Sequence, residues 1–328
     1  MLVILSLFFA LLFDNVARFC VEAQLTVDFY NATCPNVDAI VRHTIETLTN
    51  QSNVVPPSTL RLLVHDCFVE GCDGSILISS TSNNTAERDA EDNVSFPQIA
   101  FDAIIQVKKA VEAACPGVVS CADILAMVAR DAVNLTGGPS WDVAKGRKDG
   151  LISQASRVGG RLPGSNFNVT QLIENFAEVN LTAEDMVILS GGHTIGFSHC
   201  LQFTDRLYNF TGRINSTDPS MNATFTETLK EACPQFATNQ AKVQAFDITT
   251  AFSFDNAYYQ NLQSGKGLLF SDQVLFSDNR TRTLVEKLAN SKEAFFARFV
   301  PAMIKMSSIG IKSKTDGEIR QDCTRFNS

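Results

Sequence analysis

The segment RLLVHDCFVEGCDGS, from Arg61 to Ser75, places an arginine and a histidine, which can perform acid–base chemistry, beside two cysteines and several oxygen-bearing side chains. Arg61 and His65 are four residues apart, so on a helix they project from the same face. The three residues after Arg61 are apolar, which predicts a helix packed into a core. Charged residues on such a helix are more often functional than decorative. The alternative is a surface turn with a solvated histidine. Cys67 and Cys72 could close a small loop edged by oxygen-bearing side chains.

The sequence contains four histidines, which can be compared one by one. His43 falls on the polar face of a predicted helix, which indicates a surface residue, and His199 lies beside a cysteine. His65 and His193 remain. Zinc needs three or four closely spaced ligands, and two remote histidines with disulfide-bonded cysteines do not supply them. One imidazole on iron, with a second histidine and an arginine opposite, is what a haem peroxide site requires.

The N-terminus has the features of a secretory signal. Residues 1–13 are almost entirely apolar, and small residues ending in Ala23 precede Gln24, although the usual basic segment is missing. We expect cleavage after Ala23, which gives a signal peptide over residues 1–23 and a mature domain over residues 24–328. No later apolar run has membrane-spanning length, so we expect no membrane association after cleavage.

Export changes the interpretation of the nine cysteines. Cys20 would be removed with the signal. The other eight are an even number in an exported chain, which predicts four disulfides among 105 possible connectivities. Eleven N-x-[ST] sequons also fit export, and we expect some of them to carry glycan.

Charge and periodicity exclude some classes of protein and favour others. The formal net charge is −8, whereas a nucleic-acid-binding protein needs a basic stripe, so we expect no nucleic-acid partner. About 305 mature residues can bury a large core, in one domain or in two closely packed lobes. Apolar residues recur at helical spacing and alternating patterns are scarce, which predicts a mainly α domain.

The same periodicity predicts individual helices. Pro56-Pro57 is expected to end the first helix, and Ser58 or Thr59 to cap the helix that carries Arg61 and His65. On the last predicted helix, one shared apolar face is expected for Phe295, Phe296, Phe299, Val300, Met303 and Ile304. The other helical segments are predicted near residues 37–48, 101–111, 120–135, 172–179, 183–190, 225 and 281–289.

Six segments resemble the secreted plant haem peroxidases, often called class III: RLLVHDCFVEGCDGSIL, VSCADIL, LSGGHTIG, DRLYNF, FDNAYY and KGLLFSDQVLF. They occur in the family's order, and the resemblance covers essentially all of residues 24–327. It implies an all-helical, two-lobed fold with haem b between the lobes. It also implies an enzyme that reduces hydrogen peroxide and oxidises phenolic donors in two one-electron steps, through a ferryl–porphyrin radical.

The resemblance assigns catalytic roles to single residues. His193 would be the axial ligand of the haem iron, and Asp272 would accept the hydrogen of its other ring nitrogen, which makes the ligand more anionic. His65 would move a proton between the oxygens of hydrogen peroxide, and Arg61 would stabilise the developing charge. Asn93 would keep His65 neutral and oriented.

The family also binds two calcium ions, and oxygen ligands at matching positions are present. The distal ion would be bound by the side chains of Asp66, Asp73 and Ser75, the carbonyls of Val69 and Gly71, and Glu87 through water. The proximal ion would be bound by Thr194, Asp247, Thr250 and Asp255 and by the carbonyl of Ser253. Without the resemblance, a solvated acidic loop is the preferred interpretation of Asp247 and Asp255. The implied disulfides are Cys34–Cys115, Cys67–Cys72, Cys121–Cys323 and Cys200–Cys233.

Two departures from the family pattern concern the distal pocket. The family usually has an aromatic residue at the position of Val64 and often a histidine at that of Leu63. We hypothesise that Val64 gives a roomier pocket, with easier direct oxygen transfer to small substrates. The loop SFPQIA, residues 95–100, also lacks the usual Arg-Gly before Phe101.

Three other functions are weighed against the peroxidase. A hydrolase using His65 with Cys67 or a serine lacks a nucleophile-elbow motif, and Cys67 is better explained by a disulfide. A calcium-binding module without enzymatic activity lacks the alternating pattern of an EF-hand loop. Loss of activity within the fold is disfavoured because all five residues with expected catalytic roles are retained.

The expected partners and location follow from the same resemblance. Pro163 matches a proline at the entrance for the reducing substrate, and the family implies a monomer. The chain ends five residues after Cys323, without the hydrophobic tail that some relatives use for vacuolar sorting. We therefore expect an extracellular or cell-wall enzyme that acts on phenols such as lignin precursors, cell-wall tyrosines or defence metabolites.

Overall fold

A computed structural model of the chain describes residues 25–235, 242–312 and 315–327. The expected signal peptide, residues 1–23, lies outside them. The helices in these ranges are α1 Val37–Gln51, α2 Val55–Val69, α3 Gln98–Ala114, α4 Cys121–Leu135, α5 Val169–Glu178, α6 Ala183–Ser190, α7 Thr204–Tyr208, α8 Ala223–Ala232, α9 Ala257–Gln263, α10 Phe270–Ser277, α11 Asn279–Asn290 and α12 Lys292–Met306. The prediction of a mainly α fold is therefore confirmed.

The described residues contain one small sheet. Strands β1 (Phe197–His199) and β2 (Val243–Ala245) pair antiparallel, with Phe197 opposite Ala245. The helical periodicity missed α7, α9 and α10, which have five to eight residues each. Such short helices have only about one to two turns, so an apolar stripe has too few repeats to be recognised.

Helix α2 carries Arg61 and His65, but it begins earlier than predicted. Pro56 and Pro57 lie in its first turn instead of ending α1. The first N–H groups of a helix have no intrahelical acceptor, so proline loses no hydrogen bond there. Ser58 and Thr59 therefore lie inside the helix, where their hydroxyls donate to backbone carbonyls one turn earlier. The prediction that one of them caps α2 is wrong.

The core forms mainly around α2 and α4. Helix α2 packs against α4, α3 and α1, and residues 121–133 of α4 are all buried. A second apolar cluster lies farther along the chain and includes Phe203, Leu207, Phe225 and Leu268. None of the described helices is long and apolar enough to cross a membrane.

The predicted apolar face of the last helix is only partly correct. Phe295, Phe299 and Met303 are buried, whereas Ile304 is 40% exposed. Ile304 lies nine residues after Phe295, and nine steps of about 100° place it on the opposite side of an α-helix.

Four disulfides form among the described residues, and three of them join segments that are far apart in the sequence. The four are Cys34–Cys115, Cys67–Cys72, Cys121–Cys323 and Cys200–Cys233, which are the pairs that the family resemblance implies.

The first turns of α2 contact the segment that follows α6. A Cβ on Gly192 would lie 3.7 Å from a methyl carbon of Leu60, and one on Gly196 would lie 3.1 Å from Cβ of Pro57. Gly196 also has a φ of +107°, which disfavours any side chain there. The helix that carries His65 therefore packs directly beside the turn that carries His193.

Candidate active site

Three predicted residues meet on the distal side. The imidazole Nδ1 of His65 lies 2.7 Å from Oδ1 of Asn93, and the Asn93 amide nitrogen donates to the Glu87 carbonyl at 2.8 Å. Asn93 is only 1% exposed. Because its Oδ1 is an acceptor, Nδ1 of His65 carries the hydrogen and Nε2 keeps its lone pair. Nε2 accepts a hydrogen bond from Nε of Arg61 at 3.1 Å.

The surroundings of His65 favour its neutral form. Burial, together with the positive charge of Arg61, lowers the pKa of His65 well below its ordinary value of 6.5. Burial also lowers the pKa of Arg61 to about 10, which still leaves the guanidinium charged at neutral pH. The pair therefore consists of a neutral base and a cation at physiological pH.

Two distal residues were not assigned a role from the sequence. Phe96 is 8% exposed. The centre of its ring lies 4.1 Å from Cζ of Arg61 and 4.9 Å from the centre of the His65 ring. Ser95 accepts a hydrogen bond from Nη2 of Arg61 at 3.0 Å. Both lie in the loop noted for its departure from the family, and no local pattern predicts that this loop turns towards Arg61. Val64 is half-buried, whereas Leu63 is fully buried.

The proximal side contains the predicted pair and two further aromatic residues. Nδ1 of His193 lies 2.8 Å from Oδ1 of Asp272. The ring of Phe246 is stacked parallel to the imidazole at 4.0 Å, and the hydroxyl of Tyr258 donates to the same Asp272 oxygen at 3.0 Å. The His193 side chain is 38% exposed although Asp272 is nearly buried. Phe246 lies 53 residues from His193, and no local pattern predicts their contact.

Four oxygen-bearing side chains form a buried distal ion cluster, which we define as Asp66, Asp73, Ser75 and Glu87. The hydroxyl of Ser75 donates to Glu87 Oε2 at 3.0 Å, while Glu87 Oε1 is buried without a protein partner. Burial and the nearby charge of Asp73 raise the pKa of Asp66 to about 8. Burial and the charges of Asp66 and Asp73 raise the pKa of Glu87 to about 9. Lys312 pairs with Asp73 at 3.2 Å, whereas neither Asp66 nor Glu87 forms an ion pair with a described residue.

Two backbone contacts define the rest of this loop. Gly71, whose carbonyl is an expected ligand, has a φ of +99° and lies so close to Gly310 that a Cβ would be 2.6 Å from the Gly310 carbonyl oxygen. The Gly71 carbonyl accepts the N–H of Asp73 at 2.8 Å. Val69, the other expected carbonyl donor, is the last residue of α2. A glycine is therefore required where the loop reverses next to the C-terminal segment.

The expected proximal ligands also come together. We define the proximal ion cluster as Thr194, Asp247, Thr250 and Asp255. Oδ2 of Asp247 accepts from the hydroxyls of Thr194 at 3.3 Å and Thr250 at 3.1 Å, and Thr194 also lies 3.4 Å from Oδ1 of Asp255. Ser253 is exposed, and its N–H donates to the Thr250 carbonyl. These oxygens lie in the chain directly after His193 and around β2.

Among the described residues, no three His, Cys, Asp or Glu side chains are arranged as ligands of one metal ion. Both clusters combine carboxylates with hydroxyls, which are oxygen ligands of the kind that calcium accepts. Their composition therefore fits a hard cation and not zinc.

The remaining predicted residue lies in a loop that contacts the proximal side. Pro163 is half-buried before α5, and the carbonyl of Ser165 in this loop accepts the N–H of Ser271 at 3.0 Å. Ser271 directly precedes Asp272. Cavities of about 280 and 270 Å³ lie elsewhere, the second beside Pro56 and Phe252, and neither is lined by a histidine.

Comparison with known proteins places the chain in one family. A model of the family described as peroxidase matches residues 41–291. The chain is 47% identical to Peroxidase 51 of Arabidopsis thaliana over 329 residues, which covers 100% of this chain and 97% of the relative. It is 47% identical to Peroxidase 55 of the same plant, covering 97% and 94%, and 45% identical to Peroxidase 41, covering 99% and 98%. The chain therefore belongs to the peroxidase family, as a class III plant haem peroxidase that acts on hydrogen peroxide with a reducing substrate.

Proposed function

We propose that the chain is an exported peroxidase that holds haem b at His193, reduces hydrogen peroxide at His65 and oxidises phenols. The observation that carries this proposal is that Nδ1 has a different kind of hydrogen-bond partner in each of the two histidines. Nδ1 of His65 is bonded to a neutral amide, which leaves Nε2 as a base, whereas Nδ1 of His193 is bonded to a carboxylate. The first arrangement suits proton transfer and the second suits a metal ligand.

The proximal residues fit a haem iron. Because Asp272 engages Nδ1 of His193, only Nε2 is available as a ligand atom. The 38% exposure of His193, despite the stacked ring of Phe246, leaves an open face for a bound group. The carboxylate gives the imidazole anionic character, which favours higher oxidation states of iron. When bound, haem supplies the redox chemistry that the side chains cannot provide.

On the distal side, we propose that His65 moves one proton. Its Nε2 takes a proton from one oxygen of hydrogen peroxide and returns it to the other oxygen, which then leaves as water. Arg61 now donates to this nitrogen, so peroxide must replace that hydrogen bond, which frees the guanidinium to stabilise the developing negative charge. Asn93 keeps the hydrogen on Nδ1 throughout, so that Nε2 stays the atom that exchanges the proton.

We further propose one calcium ion in each oxygen cluster. The unpartnered Oε1 of Glu87 and the raised pKa values of Asp66 and Glu87 support a cation on the distal side. On the proximal side, the support is the convergence of two threonine hydroxyls on Asp247. The distal loop is closed by the Cys67–Cys72 disulfide, which limits the freedom that ion binding must remove.

The proposal includes export, cleavage of residues 1–23 and a monomeric domain over residues 24–328, with phenols entering near Pro163. Four disulfides support an oxidising compartment such as the cell wall. The hydrolase alternative is weakened because Cys67 is held in a disulfide and has no thiolate to act as nucleophile.

The test is an absorbance titration of protein reconstituted with haem and calcium. We expect a Soret band that shifts when peroxide is added, and oxidation of a phenol such as guaiacol. His193→Ala should remove the ligand-dependent band, His65→Leu should slow the peroxide-dependent shift, and His43→Ala on the exposed face of α1 should change neither. A protein that binds no haem, or whose band does not respond to peroxide, would refute the proposal.

A further inference from the structure

The carboxylate of Asp272 receives three hydrogen bonds. Its Oδ2 accepts the N–H of Leu269 at 3.1 Å, and its Oδ1 accepts both Nδ1–H of His193 at 2.8 Å and the hydroxyl of Tyr258 at 3.0 Å. Histidine and tyrosine therefore share one oxygen atom. Two donors on one oxygen draw on the same negative charge, so each weakens the other's bond.

Tyr258 is built into this position. It lies on α9 and is 2% exposed, and its ring meets the His193 imidazole edge to face at 6.1 Å. Burial and the adjacent Asp272 raise the pKa of its phenol well above the ordinary value, so the hydroxyl keeps its hydrogen and remains a donor. A buried phenol whose hydroxyl ends on a carboxylate is held in one orientation by the packing of its ring.

We propose that Tyr258 is a positioning residue that moderates the hydrogen bond from His193 to Asp272 and thereby sets the reduction potential of the bound haem. This inference rests on the proposed ligation of haem by His193. Without the tyrosine hydroxyl, Oδ1 carries more negative charge and pulls more strongly on the imidazole hydrogen. The ligand becomes more anionic, which stabilises Fe(III) relative to Fe(II).

The chain offers a matched control at the next residue. Tyr259 is fully buried in the same helix, but its hydroxyl donates to the backbone carbonyls of Val187 and Ile188, both at 3.1 Å. Tyr259→Phe therefore removes the same atom and a comparable hydrogen bond without touching Asp272. Any effect of general destabilisation should appear in both variants.

The experiment is spectroelectrochemistry of the haem-loaded protein, with resonance Raman measurement of the iron–histidine stretch in the ferrous state. We expect Tyr258→Phe to reduce the equilibrium constant for reduction about threefold to tenfold, which is a shift of about 30 to 60 mV to more negative potential for a one-electron couple. The stretch should move to higher frequency. Tyr259→Phe should leave both unchanged. The inference would be overturned if Tyr258→Phe changed the equilibrium constant for reduction by less than about twofold or moved the potential to a more positive value. Equal shifts of the potential in both variants would also overturn it.

A second measurement should shift the reduction potential in the opposite direction. Replacement of all four tyrosines by fluorotyrosine, a more acidic phenol and stronger donor, should raise the potential of the wild type but not of Tyr258→Phe. A rise of equal size in both would contradict the inference even if Tyr258→Phe alone were unstable. If the wild type binds no haem, or His193→Ala leaves the spectrum unchanged, the proposed function fails instead.

Discussion

Removal of the proposed distal calcium ion should make the stability of the protein fall as pH rises. The pKa values of Asp66 and Glu87, about 8 and about 9, are raised chiefly by burial, whereas the same carboxyls ionise near pH 4 in an unfolded chain. Between about pH 4 and about pH 8, the native state without calcium therefore keeps protons on these carboxyls that the unfolded state has lost. The free energy of unfolding is therefore highest at acid pH and decreases towards pH 8.

The size of the effect follows from the number of retained protons. Each carboxyl that stays protonated in the native state contributes a slope of about 1.4 kcal/mol per pH unit, or about 4 kcal/mol between pH 5 and pH 8. Water that enters the vacated cluster lowers the raised pKa values, so we expect a loss of about 2 to 4 kcal/mol. A domain typically has 5 to 15 kcal/mol in total, so this loss is readily measured.

The assay is urea unfolding followed by circular dichroism at pH 5, 6, 7 and 8, with calcium-loaded protein and with protein depleted of calcium beforehand. The depleted protein should lose stability with pH, and the loaded protein should not. Glu87→Gln should reduce the slope of the depleted protein by roughly half, because one of the two titrating groups is removed. Glu91→Gln, at an exposed carboxyl close by in sequence, should leave it unchanged. Parallel pH curves with and without calcium, or a Glu87→Gln slope equal to that of the wild type, would refute the reasoning.

Further predictions concern the distal residues. Asn93→Leu should slow the reaction with peroxide about 10- to 100-fold at unchanged haem content, because His65 loses its orienting acceptor; an unchanged stopped-flow rate would contradict this. Since the pKa of His65 lies well below 6.5, the wild-type rate should be constant above pH 6.5 and fall only in acid. Arg61→Leu removes one cause of that low pKa, so the fall of the rate in acid should begin at a higher pH in this variant. Val64→Phe should reduce oxygen transfer to a small sulfide, and equal sulfoxidation by both proteins would exclude the roomier pocket. The Asn93 sequon should carry no glycan in peptide mass spectrometry, because its amide nitrogen is buried and donates to Glu87.

The long helices could be predicted from the sequence because they repeat an apolar stripe over several turns. Helix α4, predicted over residues 120–135, is observed over Cys121–Leu135. The start of α2 could not be predicted, because a Pro-Pro pair both ends one helix and suits the first turn of the next. Only the packing of Pro57 against Gly196 shows which role the pair has here.

Most contacts within the site could not be predicted, because they join residues that are far apart in the sequence. The spacing of Arg61 and His65 predicted a shared helix face, and their side chains do meet. Phe246 and Tyr258 approach His193 from 53 and 65 residues away, Phe246 directly after the short strand β2 and Tyr258 on the short helix α9. Neither element has a periodic signal, so the order of motifs in the family indicated the segments but not these contacts.

Each histidine is tied to an ion cluster by the residue that follows it. Asp66 follows His65, and its carboxylate accepts the N–H groups of Gly74 and Ile76. The partner of His65 is tied to the same cluster, because Asn93 donates to the carbonyl of Glu87, whose carboxyl accepts from Ser75.

On the proximal side, Thr194 follows His193 and donates to Asp247. A shift of either cluster therefore moves the peptide of a histidine, and on the distal side it also moves that histidine's hydrogen-bond partner. Loss of the proposed distal ion should accordingly impair proton transfer at His65 more than it changes the bond between His193 and Asp272.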